Sequence, residues 1–409
     1  MNEHLARLQN VKSEDFIAIA RFLAAMIPSC VMRARLKRRH AFFWLICEEA
    51  AEARDNGYVF FEYIKEHHPE TEVYYAIKKD SPDYEKLKRY EPYILEAGSV
   101  KHWIYYLAAD VNISSQKGGK PNAAVCYALE VSGLLKNRRV FLQHGVMLNN
   151  AEFLHYRNTK MRLFIAGAAS EYAYIRDTFG YPKGWVRYCG LCRFDRYHGL
   201  KADPKKILLM PTWRYWLKLK SRAGDDGGAG PDDAASSEYI TAWKSLLRNE
   251  RLLGYLRETG TVLYFYPHRN AQHYLHLFRA GYPVILCTQE EYDIQALLKE
   301  CSLMITDYSS VSMDFAYMKK PVIYYQFDEK KYRKYQYGSS YFDYRTCGFG
   351  TVAETEEEAV ELIVKRIENG FAFDEKAEAA HRAFFKLYDD KNCERVYAAI
   401  CRMRKPRKR

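Results

Sequence analysis

Short apolar runs alternate with stretches of helical spacing along most of the chain. Past residue 40 the order is "AFFWLI" (41–46), then a stretch in which Ala53, Tyr58, Phe61, Ile64 and Lys65 recur at helical spacing. "EVYYAI" (72–77), a polar helix around Lys86 to Tyr90, "YILE" (93–96), a helix over 101–109, "VNISS" (111–115) and "RVFLQH" (139–144) follow. The pattern restarts with "KILLMPTW" (206–213), "TVLYFYPH" (261–268), "YPVILC" (282–287), "LMITDY" (303–308) and "PVIYYQ" (321–326), each joined to the next by a helical stretch. Strands of that length alternating with helices predict parallel sheets covered on both faces. The expected fold class is α/β, with two Rossmann-like domains over 41–200 and 201–385, a segment over 1–40, and a terminal helix with a basic tail over 386–409. "SRAGDDGGAGPDDAASS" (221–237) has no apolar periodicity and is expected to be a surface loop.

A chain of 409 residues, 48% hydrophobic and 28% charged, has material for two cores and excludes wholesale disorder. Its formal charge of +12 invites an anionic partner. Nucleic acid is disfavoured, because the 35 tyrosines fall mostly in apolar runs such as "VYYAI" and "VIYYQ" rather than among cations. "FIAIARFLAAMIPSCVM" (16–32), interrupted by Arg21 and Pro28, reads as too short and broken to span a bilayer. It runs straight into Arg33, Arg35, Lys37, Arg38 and Arg39, and the tail "CRMRKPRKR" is basic again. The expectation is an amphipathic anchor on an anionic membrane surface. Ten cysteines without a regular framework, and no secretory pattern at the start, imply a reducing, cytoplasmic compartment. Cys189 and Cys192 have no second pair, and His268, His273 and His276 have no acidic companions, so neither group reads as a metal site.

In open α/β sheets, ligands bind beyond the carboxyl ends of the strands. In the second half those ends are Pro211-Thr212-Trp213-Arg214, Pro267-His268 and Thr306-Asp307-Tyr308-Ser309-Ser310. Small hydroxyl residues at a strand-to-helix turn, a cation and a histidine suit a nucleotide pyrophosphate, the anion resting on helix-start N–H groups at Ser309 and Ser310. Ser309 or Ser310 as a plain helix cap, and His268 as a structural histidine, remain open. In the first half, His144 ends a strand and Gly145 follows, a glycine expected to permit an unusual backbone angle. An imidazole there suits proton abstraction from an attacking hydroxyl; taken alone a core or loop-bonding histidine is the better fit, and the symmetry with His268 shifts the balance.

"LQHG" with His144, "PTWR" (211–214), "YPH" ending at His268 and "ITDYSSVSMDFAYMKKPVIYY" resemble the CDP-glycerol glycerophosphotransferase family of teichoic acid and capsule polymerases and primases. "EARDNGYVFFEYI" (52–64), "GLCRFD" (190–195) and "DKNCERVYAAI" (390–400) support the resemblance. It implies a GT-B architecture, with two domains facing a cleft, that needs no metal or other cofactor. The reaction implied is transfer of glycerol phosphate from CDP-glycerol to a hydroxyl of a lipid-linked polyol-phosphate or polysaccharide acceptor, with release of CMP, at the inner face of the cell membrane. His144 resembles the general base and His268 a pyrophosphate-contacting histidine. Gly145, Thr212, Arg214, Thr306, Asp307, Ser309 and Ser310 belong to the implied substrate site. Asp314 is a candidate for sugar or glycerol hydroxyls, and Arg395 for a contact reaching back across the cleft. Gln143 and Val146 depart from the family's Trp and Thr, and Asn392 and Cys393 from its small residues, which bears on the acceptor more than the donor. CDP-ribitol as donor, or a nucleotide-sugar transferase, are the alternatives.

Overall fold

The computed structural model describes residues 13–135, 138–218, 235–338, 340–346 and 348–404. The loop expected over 221–237 falls almost entirely outside them, as do the tail from 405 and the start of the basic N-terminal segment. The chain forms two compact units: residues up to 144, 152–196 and 389 onward in the first, and 145–151 with 197–388 in the second.

The first unit is built on seven parallel strands: β1 (Trp44–Ile46), β2 (Val73–Ile77), β3 (Ile94–Glu96), β4 (Val111–Ser114), β5 (Arg139–Phe141), β6 (Leu163–Ala166) and β7 (Val186–Tyr188), in the order β3-β2-β1-β4-β5-β6-β7. Alternation along β1 shows why both faces are covered. Trp44 and Ile46 join one buried cluster with Phe60, Ile64, Val396 and Ile400, whereas Phe43, Leu45 and Cys47 join another with Trp103 and Tyr106. The helix Asn392–Arg404 thereby belongs to this unit's core.

The second unit repeats the plan with six parallel strands: β8 (Asp203–Leu209), β9 (Val262–Phe265), β10 (Val284–Leu286), β11 (Cys301–Thr306), β12 (Val322–Tyr325) and β13 (Gly350–Ala353), in the order β10-β9-β8-β11-β12-β13. Ile207, Leu209, Leu303, Ile305, Ile323 and Tyr325 pack with Trp243, Leu252 and Val360 into one buried cluster. Two parallel Rossmann-like sheets are the architecture the sequence pattern predicts. β6, β7 and β13 have no place in that reading, being three or four residues long and without a periodicity of their own. The polar helix around Lys86 is a single turn, Tyr84–Leu87, that tightens into a 3-10 segment, Lys88–Tyr93, where Pro92 has no N–H to give.

One further correction concerns the N-terminal segment. Ser13–Arg38 is one helix of 26 residues that runs through Pro28, and by length and composition it is apolar enough to cross a membrane. It lies along the helix Val100–Ala108, with Ala18 and Ala25 buried and Phe22 edge-on to Trp103 at 5.4 Å. Arg21 and Arg33 donate to the Gly98 and Leu107 carbonyls, and Asn122 donates to Asp15 at 2.9 Å. Phe16, Ile17, Leu23 and Ile27 are exposed.

Candidate active site

In the second unit, the crossovers run one way from β8 to β9 and β10, and the other way from β11 to β12 and β13. The crevice beyond β8 and β11 is therefore the topological switch point, where a doubly wound sheet receives its ligand. Residues 210–214 leave the sheet there beside 307–310, with 266–268 following β9 next to them. The Met210 N–H donates to the Ile305 carbonyl at 2.9 Å, Thr306 Oγ1 donates to the Met210 carbonyl at 2.6 Å, and the His268 N–H donates to the Pro211 carbonyl at 3.3 Å. Thr212, Arg214, Thr306, Asp307, Ser309, Ser310 and His268 are thus brought together.

Their roles differ from the sequence expectation. Arg214 offers no exposed cation: its side chain is fully buried, with Nη1 2.8 Å from Asp307 and Nε 2.7 Å from Asp328. Nη1 also donates to the Thr212 carbonyl at 2.6 Å, and Nη2 to Asp328 at 3.0 Å. Burial disfavours its charge, but Asp307 and Asp328 outweigh that and hold its pKa above the ordinary value. The arginine is the internal tie of the two strand-end loops. Asp307 completes the tie, its Oδ1 accepting from the backbone N–H of Thr212 at 2.8 Å and of Tyr308 at 2.7 Å. Gln326 donates to the Asp307 carbonyl and Tyr344 to the Tyr308 carbonyl, while the Tyr308 ring stacks on Tyr332 at 3.7 Å.

The helix expected to start at Ser309 and Ser310 starts later, at Ser312, and runs only to Tyr317. Ser309 Oγ accepts from the Val311 N–H at 3.3 Å, and the Ser309 and Ser310 carbonyls accept from Ser312 and Met313. The two serines therefore form a turn ahead of a six-residue helix, and the turn's own hydroxyls and amides matter more than a macrodipole. Among the described residues, Thr212 Oγ1 is buried without a hydrogen-bond partner. His268 Nδ1 accepts from the Asn270 N–H at 3.2 Å, which assigns the proton of the neutral ring to Nε2. Asp314 is fully buried and accepts from Tyr197 Oη at 2.8 Å, so its carboxylate is engaged inside the unit.

In the first unit, His144 lies three residues beyond β5 and is exposed. The unusual backbone angle is not at Gly145: Gln143 carries it, with φ +62. Gln143 is buried, its side-chain amide donating to the Ile165 carbonyl at 2.6 Å. Asn56 donates to the Gln143 carbonyl at 2.7 Å and accepts from the Arg193 N–H at 2.9 Å. The Arg193 guanidinium bridges Asp55 at 2.7 Å and the His144 carbonyl at 2.9 Å. Arg395 is held within this unit by Asp389 at 2.8 Å, the Cys189 carbonyl at 2.9 Å and Asn392 at 2.6 Å.

Asp328, Asp55, Asn56 and Arg193 have no role in the sequence reading. The last three fall in "EARDNGYVFFEYI" and "GLCRFD", stretches that carry the family resemblance, and that was the available signal.

Comparison with known proteins follows the same lines. The chain is 29% identical over 360 residues to the minor teichoic acid biosynthesis protein GgaB of Bacillus subtilis (strain 168), covering 87% of this chain but only 39% of that protein. It is 29% identical over 203 residues to the teichoic acid glycerol-phosphate transferase of Staphylococcus aureus (strain NCTC 8325 / PS 47), covering 49% of this chain and 46% of that one. The chain thus spans less than half the length of either relative. The fold matches the solved structure of the wall teichoic acid polymerase TagF with a TM-score of 0.63 at 14% identity, over 96% of this chain and 98% of that chain. Residues 191–402 match the model of the CDP-Glycerol:Poly(glycerophosphate) glycerophosphotransferase family, and the chain belongs to that family.

Proposed function

We propose that this chain is a teichoic acid polyol-phosphate transferase, moving glycerol phosphate from CDP-glycerol to a hydroxyl of a lipid-linked polyol-phosphate or polysaccharide acceptor. The observation that carries this reading is the switch-point crevice of the second unit. A turn of hydroxyls at 309–310, the unpartnered Thr212 hydroxyl and a histidine whose Nδ1 is already engaged surround one strand-end pocket for an anion. Its supports are the family membership and the likeness to teichoic acid proteins.

In this reading the acceptor hydroxyl attacks the β-phosphorus of CDP-glycerol. A new P–O bond forms, the bond to the bridging oxygen breaks, and CMP leaves. His144 takes the hydroxyl proton, a role typically worth about 100 to 10,000-fold in rate. His268 Nε2–H and the hydroxyls of Ser309, Ser310 and Thr212 donate to phosphate oxygens as charge moves onto the leaving group. Arg214 and Asp307 act at one remove, fixing the loops that hold these donors. The helix Ser13–Arg38 rests the protein on an anionic membrane surface through its exposed apolar residues and the cations that follow, peripheral on the inner face of the cell membrane.

The test is CMP release from CDP-glycerol, with CDP-ribitol and UDP-sugars run in parallel. His144→Ala should lose at least 100-fold in turnover with nearly unchanged donor affinity, whereas Ser309→Ala with Ser310→Ala should weaken donor binding. UDP release from a UDP-sugar with no CMP from either CDP-polyol would sink the reading.

A further inference from the structure

At the edge of the first unit's sheet, a cavity of about 300 Å³ opens between β7, the start of β6 and the terminal helix Asn392–Arg404. Arg162, Arg187, Arg395 and Arg402 line it together with Trp185 and Cys189, and no carboxylate is among the lining residues. The Arg162 guanidinium sits 3.9 Å from the Trp185 ring centroid. Arg395 is fixed by Asp389 and by the Cys189 carbonyl, which makes it a rigid wall. Among the described residues Arg187 and Arg402 make no ion pair, and both are exposed. Burial, and the neighbouring Cys192 after it, push the Cys189 thiol up to about 12, while Arg395, Arg187 and Arg402 act in the opposite sense.

Cations gathered on one concave surface repel each other unless an anion joins them. We propose that this cavity binds a phosphate-bearing anion, a phosphomonoester or phosphodiester with a small substituent. Guanidinium groups contributed by β7 and the terminal helix match the several oxygens of a phosphate group better than the single edge of a carboxylate. The volume suits one such group with a small substituent. The assignment does not depend on the transferase reading, since every residue it uses lies in the first unit.

Two sources share this chemistry, a soluble phosphate ester and a lipid headgroup, and two arms separate them. In the first, glycerol 3-phosphate and inorganic phosphate are titrated calorimetrically into the full chain and into Arg187→Ala with Arg402→Ala. In the second, both proteins are sedimented with phosphatidylglycerol vesicles, with phosphatidylcholine vesicles as reference. Loss of one saturable site, or at least tenfold weakening of it, in the soluble arm supports the assignment with a soluble ester as ligand. Soluble titrations that match between the proteins while anionic-vesicle binding falls at least tenfold support it with a lipid headgroup. Equal behaviour of the two proteins in both arms overturns it. Should the double variant fold poorly, Arg187→Gln and Arg402→Gln singly, each checked by thermal melting with and without phosphate, decide the same question: phosphate should raise the melting temperature of the parent more than that of either variant.

Discussion

The two units carry the same kind of sheet but hold their candidate catalytic loops in different ways. In the second unit, the loops after β8 and β11 are locked by charge: one guanidinium with no exposed surface lies between Asp307 and Asp328. In the first, the loop after β5 is locked chiefly by amides: Gln143 and Asn56 span buried carbonyls, and the Arg193–Asp55 ion pair adds a charged donor at the His144 carbonyl. The difference suits what each loop would do on the proposed function. On that function, a site for a doubly charged donor gains from hydroxyls and imidazoles on a rigid frame whose own charges are tied up in ion pairs. A base that must exchange protons with a mobile acceptor needs an exposed ring on a fixed backbone, and here the ring is exposed while the residue before it is buried.

The largest expected effect comes from breaking the charged frame. Arg214→Met removes the shared counter-ion and leaves two buried carboxylates uncompensated, a loss of about 3–5 kcal/mol in the stability of the second unit. Urea unfolding followed by hydrogen exchange should show the loss at 203–325 with little change at 44–114. A uniform loss across both units would mean that the frame is not local to the switch point.

Breaking the amide frame should cost less. Asn56→Ala strips the Gln143 carbonyl of its donor and the Arg193 N–H of its acceptor, on the order of 2–3 kcal/mol for the pair. Asn56→Asp keeps the acceptor but turns a second oxygen toward the Gln143 carbonyl in a fully buried site, so its cost should exceed that of the alanine variant. Turnover should drop with stability in these variants while donor affinity holds, because the loop carries His144 and not the donor turn. Unchanged turnover in Asn56→Ala would separate this network from the chemistry.

How much of this the sequence could disclose depends on distance along the chain. Strands of buried apolar residues such as 301–306 announce themselves, and so does the hydroxyl-rich turn that follows. The partners of those turns do not. Asp328 is 114 residues from Arg214, and Asn56 is 87 residues from Gln143. Only the strand order brings them together, and no local pattern encodes strand order. Arg214 therefore reads as a ligand cation from sequence, since Asp328 is out of sight and Asp307, placed in the same crevice, reads as a substrate contact and not as its partner. Gly145 was credited with a backbone angle that Gln143 adopts, because residue type reveals tolerance for positive φ but not its presence. Pro28 read as a break, although a helix supported along its length by a neighbour accommodates one proline. The family resemblance, by contrast, was legible in full, since its motifs are contiguous.

The smallest effect tests the strain at Gln143 itself. A non-glycine residue at φ +62 carries a left-handed backbone that disfavours its Cβ by roughly 1–2 kcal/mol. Gln143→Ala and Gln143→Gly both lose the bond to the Ile165 carbonyl, so that loss cancels when the two are compared. What remains is strain relief in the glycine variant, opposed by roughly 0.4–1 kcal/mol of extra unfolded-state entropy that glycine brings. The glycine variant should come out more stable by about 0.5–1 kcal/mol in paired urea titrations. The inverse order would mean that the loop relaxes to a negative φ once the glutamine amide is gone, and that the hydrogen bond to Ile165 is what forces the turn presenting His144.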